Sequence, residues 1–313
     1  MSYTVTIKEE ISKIKSSNSE LIAELSGYIR NNGIITNKKV TMTTENKQVV
    51  NHLVDSLKDI YDITPKVEII ENLNFSKNDL YQITIEDNLT KILENLGIWD
   101  NNSKYLGTVP NYIVGGNEEI RAYLRGVFEG VGSINDPKTS RYHMELLINK
   151  SKEAVFVQKL LNIFELNAKI LSRDKGYMIY IKEAEKISDF LKILGANKAV
   201  LYFEDVRVYR DQKNKTNRLN NMEQANIDKV IQTATEQLRD IKVIEDNDGV
   251  MLLDDKTKET LEYRKKYPEA SLKELAEIIS LETNKPITKS GLNHRLRKIK
   301  DLAERFNKQK TND

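Results

Sequence analysis

The feature that most constrains this chain is a glycine-bearing helical stretch that occurs twice at a fixed interval. One copy is Leu124-Arg125-Gly126-Val127-Phe128-Glu129-Gly130-Val131-Gly132-Ser133-Ile134, which reads as a short helix entering a turn and then a strand. Gly126 and Gly130 lie i, i+4 on one helical face, a spacing that lets a second helix backbone come close. Gly132 stands where a helix exit with positive φ is expected. Upstream, Leu25-Ser26-Gly27-Tyr28-Ile29-Arg30-Asn31-Asn32-Gly33-Ile34 carries the same pattern. Gly27 and Gly126 are 99 residues apart, and so are Gly33 and Gly132. A gapless match at that distance indicates an internal duplication.

The segments downstream of the two copies support a duplication. Residues 10–31 are expected to form one helix, with Ile11, Ile14, Leu21, Leu25 and Ile29 at helical spacing. A strand over 39–44, a helix over 48–60, strands over 65–71 and 80–85 and a helix over 88–96 ending at Gly97 come next. The second half repeats the order: a strand over 142–148, a helix over 151–164, two strands around the turn Arg173-Asp174-Lys175-Gly176, and a helix over 184–194 stopping at Gly195. Gly33 to Gly97 spans 64 residues and Gly132 to Gly195 spans 63. The expectation is two αββαββ-type units, about 10–97 and 118–195, joined by a linker over 109–117. Hairpins with helices on one side make the class α+β. The first domain then covers 1–205, followed by a basic helical linker over 206–250 and a helical domain over 251–313, with the turn Asp246-Asn247-Asp248-Gly249 marking the boundary.

Composition matters mainly by what it removes. The 313 residues hold no cysteine, which excludes disulfides, thiolate metal sites and cysteine nucleophiles together. No apolar run approaches the roughly 20 residues of a membrane span, and the first ten residues lack a basic start before an apolar core, so no signal peptide is expected. The expected setting is the cytoplasm. Net charge is only +2, but from Lys285 to Lys310 nine Lys/Arg face two acids, and from Arg207 to Arg218 five face Asp211. Clustered basic residues are the footprint of a nucleic-acid-binding module.

The C-terminal stretch fits such a module. A helix ends before Pro268, and Ser271-Leu272-Lys273-Glu274 is a capping box. Leu272, Leu275, Ala276 and Ile279 form an apolar stripe. After a turn containing Pro286, Thr288 or Ser290 is placed to cap a third helix whose Leu292, Leu296 and Ile299 face inward. A trihelical unit ending in a basic, amide-bearing helix reads as a helix-turn-helix. The candidate DNA-binding residues are Ser271, Lys273, Lys285, Lys289, Ser290, Asn293, His294, Arg295, Arg297 and Lys298. The partner is expected to be double-stranded DNA: arginine grips guanine or phosphate, asparagine pairs with adenine edges, and a helix N-terminus holds phosphate. The alternative is a basic helix that docks on a protein.

Both glycine-bearing stretches resemble the LAGLIDADG helix of homing endonucleases. The wider chain is similar to the WhiA family of bacterial regulators, in which a LAGLIDADG-like domain precedes a helix-turn-helix. The carrying segments are Tyr123-Leu124-Arg125-Gly126-Val127-Phe128 through Ser133-Ile134-Asn135-Asp136-Pro137, Pro268-Glu269-Ala270-Ser271-Leu272-Lys273-Glu274-Leu275, and Thr288-Lys289-Ser290-Gly291-Leu292-Asn293-His294-Arg295-Leu296-Arg297-Lys298-Ile299. The resemblance implies a nucleoid-associated DNA-binding protein tied to transcription regulation, cell division and chromosome segregation, and to sporulation in sporulating members. It also implies that the LAGLIDADG-like half offers a second DNA surface or a docking site for a protein partner.

In the cutting members of the LAGLIDADG group, the last acid of each motif holds the divalent cation. Here those positions are Asn32 and Val131. A valine cannot ligate a hard cation, and a neutral carboxamide is a poor substitute for a carboxylate. Glu129 lies two residues before Val131, about 200° round the helix, and is expected as a solvated or capping charge. His52, His143 and His294 lack metal-ligand spacing, and no GxSxG, Walker or Rossmann pattern is present. The expectation is therefore no catalytic residues, no metal and no cofactor, with a working endonuclease using unusual ligands as the rival.

Overall fold

The computed structural model describes residues 2–70, 79–139 and 141–310. The chain divides into two compact units, Met1–Arg210 and Asp211–Asp313.

The first unit opens with α1 (Tyr3–Ile11) and α2 (Asn18–Asn32). The single helix expected over 10–31 is thus broken. Ser16, Ser17, Asn18 and Ser19 offer the backbone competing side-chain hydrogen bonds and so favour a cap over helix continuation. Ser17 and Glu20 form a reciprocal capping box that starts α2 afresh. The chain continues through β1 (Ile34–Ile35), β2 (Val40–Thr44), α3 (Lys47–Tyr61), β3 (Lys66–Ile70), β4 (Leu80–Ile85) and α4 (Leu89–Asn95). Residue 71, the end of an expected strand, lies outside the described residues. After α4, Gly97 takes a φ of +62°, the left-handed exit expected of it.

The second repeat runs α5 (Asn117–Val131), β5 (Gly132–Ile134), β6 (Met144–Ile148), α6 (Ser151–Ile163), β7 (Lys169–Arg173), β8 (Gly176–Ile181) and α7 (Ala184–Leu194). The two sheets have the same topology, β1-β2-β4-β3 and β5-β6-β8-β7, with all pairings antiparallel. Met42 opposite Ile83, and Leu146 opposite Ile179, turn apolar faces inward against the helices. Two apolar cores result, one per repeat. The duplication read from the glycines is a duplication of fold.

Gly132 corrects one expectation. Its φ is −91° with ψ 149°, extended rather than left-handed. Glycine is needed there because a Cβ would strike the Phe128 ring.

α8 (Asn197–Glu245) is one continuous helix of 49 residues. The second unit contains its C-terminal part, α9 (Asp255–Lys266), α10 (Leu272–Thr283) and α11 (Lys289–Lys310). Ile241 and Ile244 of α8 join Leu261, Leu275, Leu292 and Ile299 in its core. The expected start of the helical domain at residue 251 therefore lies inside this unit, since apolar residues of the segment expected as a linker are part of its core. Buried Arg264 donates to the carbonyls of Tyr267 (3.3 Å) and Ala270 (2.7 Å), fixing the turn between α9 and α10.

Candidate nucleic-acid interface and buried centre

The second unit presents α11 through a defined turn. Ser271 and Glu274 make the expected capping box at the start of α10. Asn284 closes α10 in the left-handed region at φ 53°. The Ser280 hydroxyl accepts from the Ile287 backbone N–H (2.9 Å) and donates to the Ala276 carbonyl (2.7 Å), so the long turn before α11 is held from both sides. Thr288 caps α11 by accepting from Gly291 N–H at 3.1 Å, while Ser290 sits exposed in the first turn. Leu292, Leu296 and Ile299 are buried as the periodicity required.

The ten candidate residues separate into two groups. Ser271 is engaged as a cap. Lys273 lies 3.9 Å from Glu277 in an exposed pair. Arg295 points back to α9, donating to the Lys256 carbonyl (3.2 Å) and the Thr260 hydroxyl (3.3 Å) beside Glu259. Lys298 pairs with Asp254 at 2.8 Å and holds that carboxyl below the usual range. The side chains of Lys285, Lys289, Ser290, Asn293, His294 and Arg297 have no internal hydrogen bond or ion pair among the described residues. All but half-buried Asn293 are exposed.

The outward faces of the two sheets differ from this. On the first, Thr41, Thr43, Gln82 and Thr84 surround Lys66 and Glu68, which pair at 2.7 Å. On the second, Glu145 and Lys169 flank Tyr180, with Leu147, Met178 and Leu171 beside them. Among the described residues of these strands, the first outward face carries Lys66 against Glu68, and the second carries Lys169 and Arg173 against Glu145.

Between the repeats, α2 and α5 pack backbone to backbone. A Cβ on Gly27 would collide with the Tyr123 carbonyl, and one on Gly126 with the Glu24 carbonyl. At the C-terminal end of this contact, the Asn32 carboxamide is committed on both atoms. Its nitrogen donates to the Gly130 carbonyl (3.0 Å) and its oxygen accepts from Thr43 N–H (3.1 Å). Val131 packs partly against the core of its repeat.

Glu129 is not solvated, contrary to the reading of the sequence. It is 1% exposed, because the turn of helix that points it away from Val131 points it into protein rather than water. Around it gather Glu24 of α2, His52 of α3, Lys8 of α1 and Arg125 of α5. His52 Nε2 lies 2.9 Å from Glu24 Oε1, and Arg125 Nε donates to Glu24 Oε2 at 3.3 Å. Neither Glu129 carboxylate oxygen has a hydrogen-bond partner. Burial and the Glu24 charge push its pKa up to about 8. Burial alone would lower His52, but the Glu24 hydrogen bond and charge outweigh it and raise the imidazole to about 9. Burial lowers Lys8 to about 8.

The duplicated position of Glu129 is Arg30, which is fully satisfied in charge. Its guanidinium meets Glu153 at 2.6 Å and donates to the carbonyls of Leu106 (3.1 Å) and Gly97. Sequence periodicity overlooked both centres. Their signal was a set of charges (Glu24, Arg30, Arg125, Glu129) inside helices otherwise packed on both sides.

Family models match almost end to end. They are the WhiA N-terminal LAGLIDADG-like domain at residues 18–99, the WhiA LAGLIDADG-like domain at 120–213 and the WhiA C-terminal HTH domain at 216–303. The chain is 39% identical over 310 residues to the probable cell division protein WhiA of Enterococcus faecalis, covering 98% of both. It is 38% identical over 308 residues to that of Lysinibacillus sphaericus, covering 97% of both. In structure it is similar to full-length DUF199/WhiA from Thermatoga maritima, with a TM-score of 0.59, 24% identity, and coverage of 98% and 99% of the two chains.

Proposed function

The chain belongs to the WhiA family, and we propose that it is a non-enzymatic, DNA-binding regulator of transcription that acts in cell division and chromosome segregation. In a sporulating host the same activity extends to sporulation genes. The observation that carries this reading is the face of α11 with its preceding turn, where five exposed side chains and Asn293 stand clear of internal partners beside a rigidly capped helix start. Lys289, Ser290 and the helix N-terminus are placed to meet phosphates. Asn293 and Arg297 have the chemistry to read adenine and guanine edges. Arg295 and Lys298 serve chiefly to set the angle of α11 against α9.

The sheet faces of the first unit carry a single excess base between them, Arg173 on the second, which gives little phosphate attraction, so the second unit supplies most of the DNA affinity. The apolar outward residues Leu147 and Leu171 suit this face to a protein partner better than to a duplex. Nuclease action is assigned to neither unit. Asn32 spends its carboxamide on Gly130 and Thr43, and Val131 offers no oxygen, so these positions do not fit the divalent cation of the cutting LAGLIDADG proteins. The protein works in the cytoplasm on the nucleoid; no helix among the described residues is long and apolar enough to cross a membrane.

The test is duplex binding by the intact chain, followed by fluorescence anisotropy across a salt series, with parallel Mg²⁺ incubations checked for cutting. Phosphate contacts predict log K falling with log[salt] by about 0.9 per contact. A flat salt response would mean that α11 docks on protein instead, and specific cutting would restore the endonuclease reading.

A further inference from the structure

Glu24, His52 and Glu129 each offer a ligand atom, and these atoms lie within 4.8 Å of one another. They come from three helices and from both repeats. Glu129 carries the argument furthest. It is fully buried, both its oxygens are unpartnered, and it points at two further ligand-type groups. A buried carboxylate without a donor costs several kcal/mol unless something neutralises it. At the duplicated position the chain itself supplies that partner, since Arg30 meets Glu153 and two carbonyls. At Glu129 the nearby Lys8, Arg125 and His52 donate to neither oxygen, while Glu24 and His52 offer ligand atoms beside it.

We propose that Glu24, His52 and Glu129 form a divalent-cation site of zinc type, which staples α2 and α3 of the first repeat to α5 of the second. One imidazole and two carboxylates match zinc better than magnesium or calcium, which require more oxygens. Tetrahedral zinc places its ligands about 3.3–3.5 Å apart. Small side-chain rotations would bring the three atoms from their present spacing to that one. Arg125 already orients Glu24 by holding its second oxygen, and Ser16 in turn accepts from Arg125 at 3.0 Å. A ligand carboxylate fixed by an outer hydrogen bond is the usual arrangement in zinc centres. Lys8 faces the same centre from α1 and is the native competitor for the two carboxylates. This centre is separate from Asn32 and Val131, and the nuclease metal position plays no part in it.

The full chain is stripped with EDTA, dialysed and titrated with zinc sulfate by calorimetry and thermal melting. The proposal expects one zinc per chain and, at about 100-fold excess over Kd, a Tm rise of about 5–10 °C. Cobalt in the same site should give the visible absorption of a tetrahedral centre. Glu129→Gln removes a ligand and also a carboxyl that burial keeps from ionising, so at neutral pH it should raise the Tm of the metal-free protein while abolishing the zinc response. Lys8→Met should tighten zinc binding. A variant lacking the other histidines, His143→Ala with His294→Ala, should bind as the parent does. The proposal fails if zinc leaves the Tm unchanged, if Glu129→Gln responds like the parent, or if the double histidine variant loses the response.

Discussion

Replacing Gly126 with alanine adds one methyl group at the point where α2 and α5 touch. That methyl would stand 2.8 Å from the Glu24 carbonyl carbon and 2.9 Å from the Tyr28 nitrogen, and closer still to the Glu24 oxygen. All three atoms are backbone of α2, so no side chain can rotate away and the helices must separate. Overpacking of this kind costs about 1–3 kcal/mol, and a backbone neighbour puts it at the upper end. Alanine returns about 1 kcal/mol of helix propensity. The net expectation is a loss of about 2 kcal/mol. Gly291 provides the internal contrast, because a Cβ there meets Thr288 Oγ1 at 3.4 Å and Ile287 Cγ1 at 3.6 Å, both ordinary contacts. Gly291→Ala should therefore gain up to about 1 kcal/mol. Urea unfolding measures both. Trp99, the single tryptophan, is buried in the first unit and reports on it by fluorescence, while circular dichroism follows the helices of the second. Gly126→Ala should lower the Trp99 midpoint by roughly 0.5–1 M. An unchanged or higher midpoint would show that the helix pair is not in backbone contact.

Arg297→Ala should weaken duplex binding and reduce the salt slope by about 1 while leaving the melting temperature unchanged. Arg295→Ala should instead lower the stability of the second unit, since its guanidinium serves α9; anisotropy beside thermal melting separates the two. Glu153→Ala strands the buried Arg30 guanidinium and should cost about 3–5 kcal/mol in urea melts. In the second unit, hydrogen bonds from Lys266 and Tyr267 hold Glu282 down to about 2. An unfolded glutamate titrates near pH 4.3, so this contribution is complete above that value and is lost as pH falls toward about 2. Glu282→Gln should flatten that part of a pH–Tm profile.

The fold was legible because its elements obey local periodicities. The stripe of α3, the β7–β8 turn at Arg173–Gly176 and the Ser271 capping box each arise from neighbours within seven residues. The break between α1 and α2 was not legible, because Ile11 and Ile14 keep helical phase with Leu21 and Leu25 across the segment between the C-cap at Ser12 and the N-cap at Ser17. In the candidate interface, Arg295 and Arg297 look alike in sequence. Only the position of α9 separates the one that braces α11 from the one that faces outward. Glu129 failed for a related reason. Its angular distance from Val131 was correctly derived, but whether that direction meets water or α1, α2 and α3 depends on packing between segments more than 70 residues apart.

The same packing explains how the LAGLIDADG-like pair persists without its acids. Gly27 and Gly126 set the approach of the helices through backbone contact, which needs no carboxylate or metal. At the end of that contact, Asn32 donates across the repeats to the Gly130 carbonyl. Asn32→Asp would replace this donor with a charge facing a carbonyl oxygen, keeping only the acceptance from Thr43. The lost bond and the repulsion together should cost about 1–3 kcal/mol. Adding Val131→Asp puts a second carboxylate on the adjoining helix end, and like charges at short range add to the loss. If the site has been rebuilt as an interface, the double variant melts lower than its parent, Mg²⁺ does not restore it, and duplexes stay intact. A Mg²⁺-dependent recovery of Tm would instead mean that a cation cradle survives there and that only its two acids had been removed.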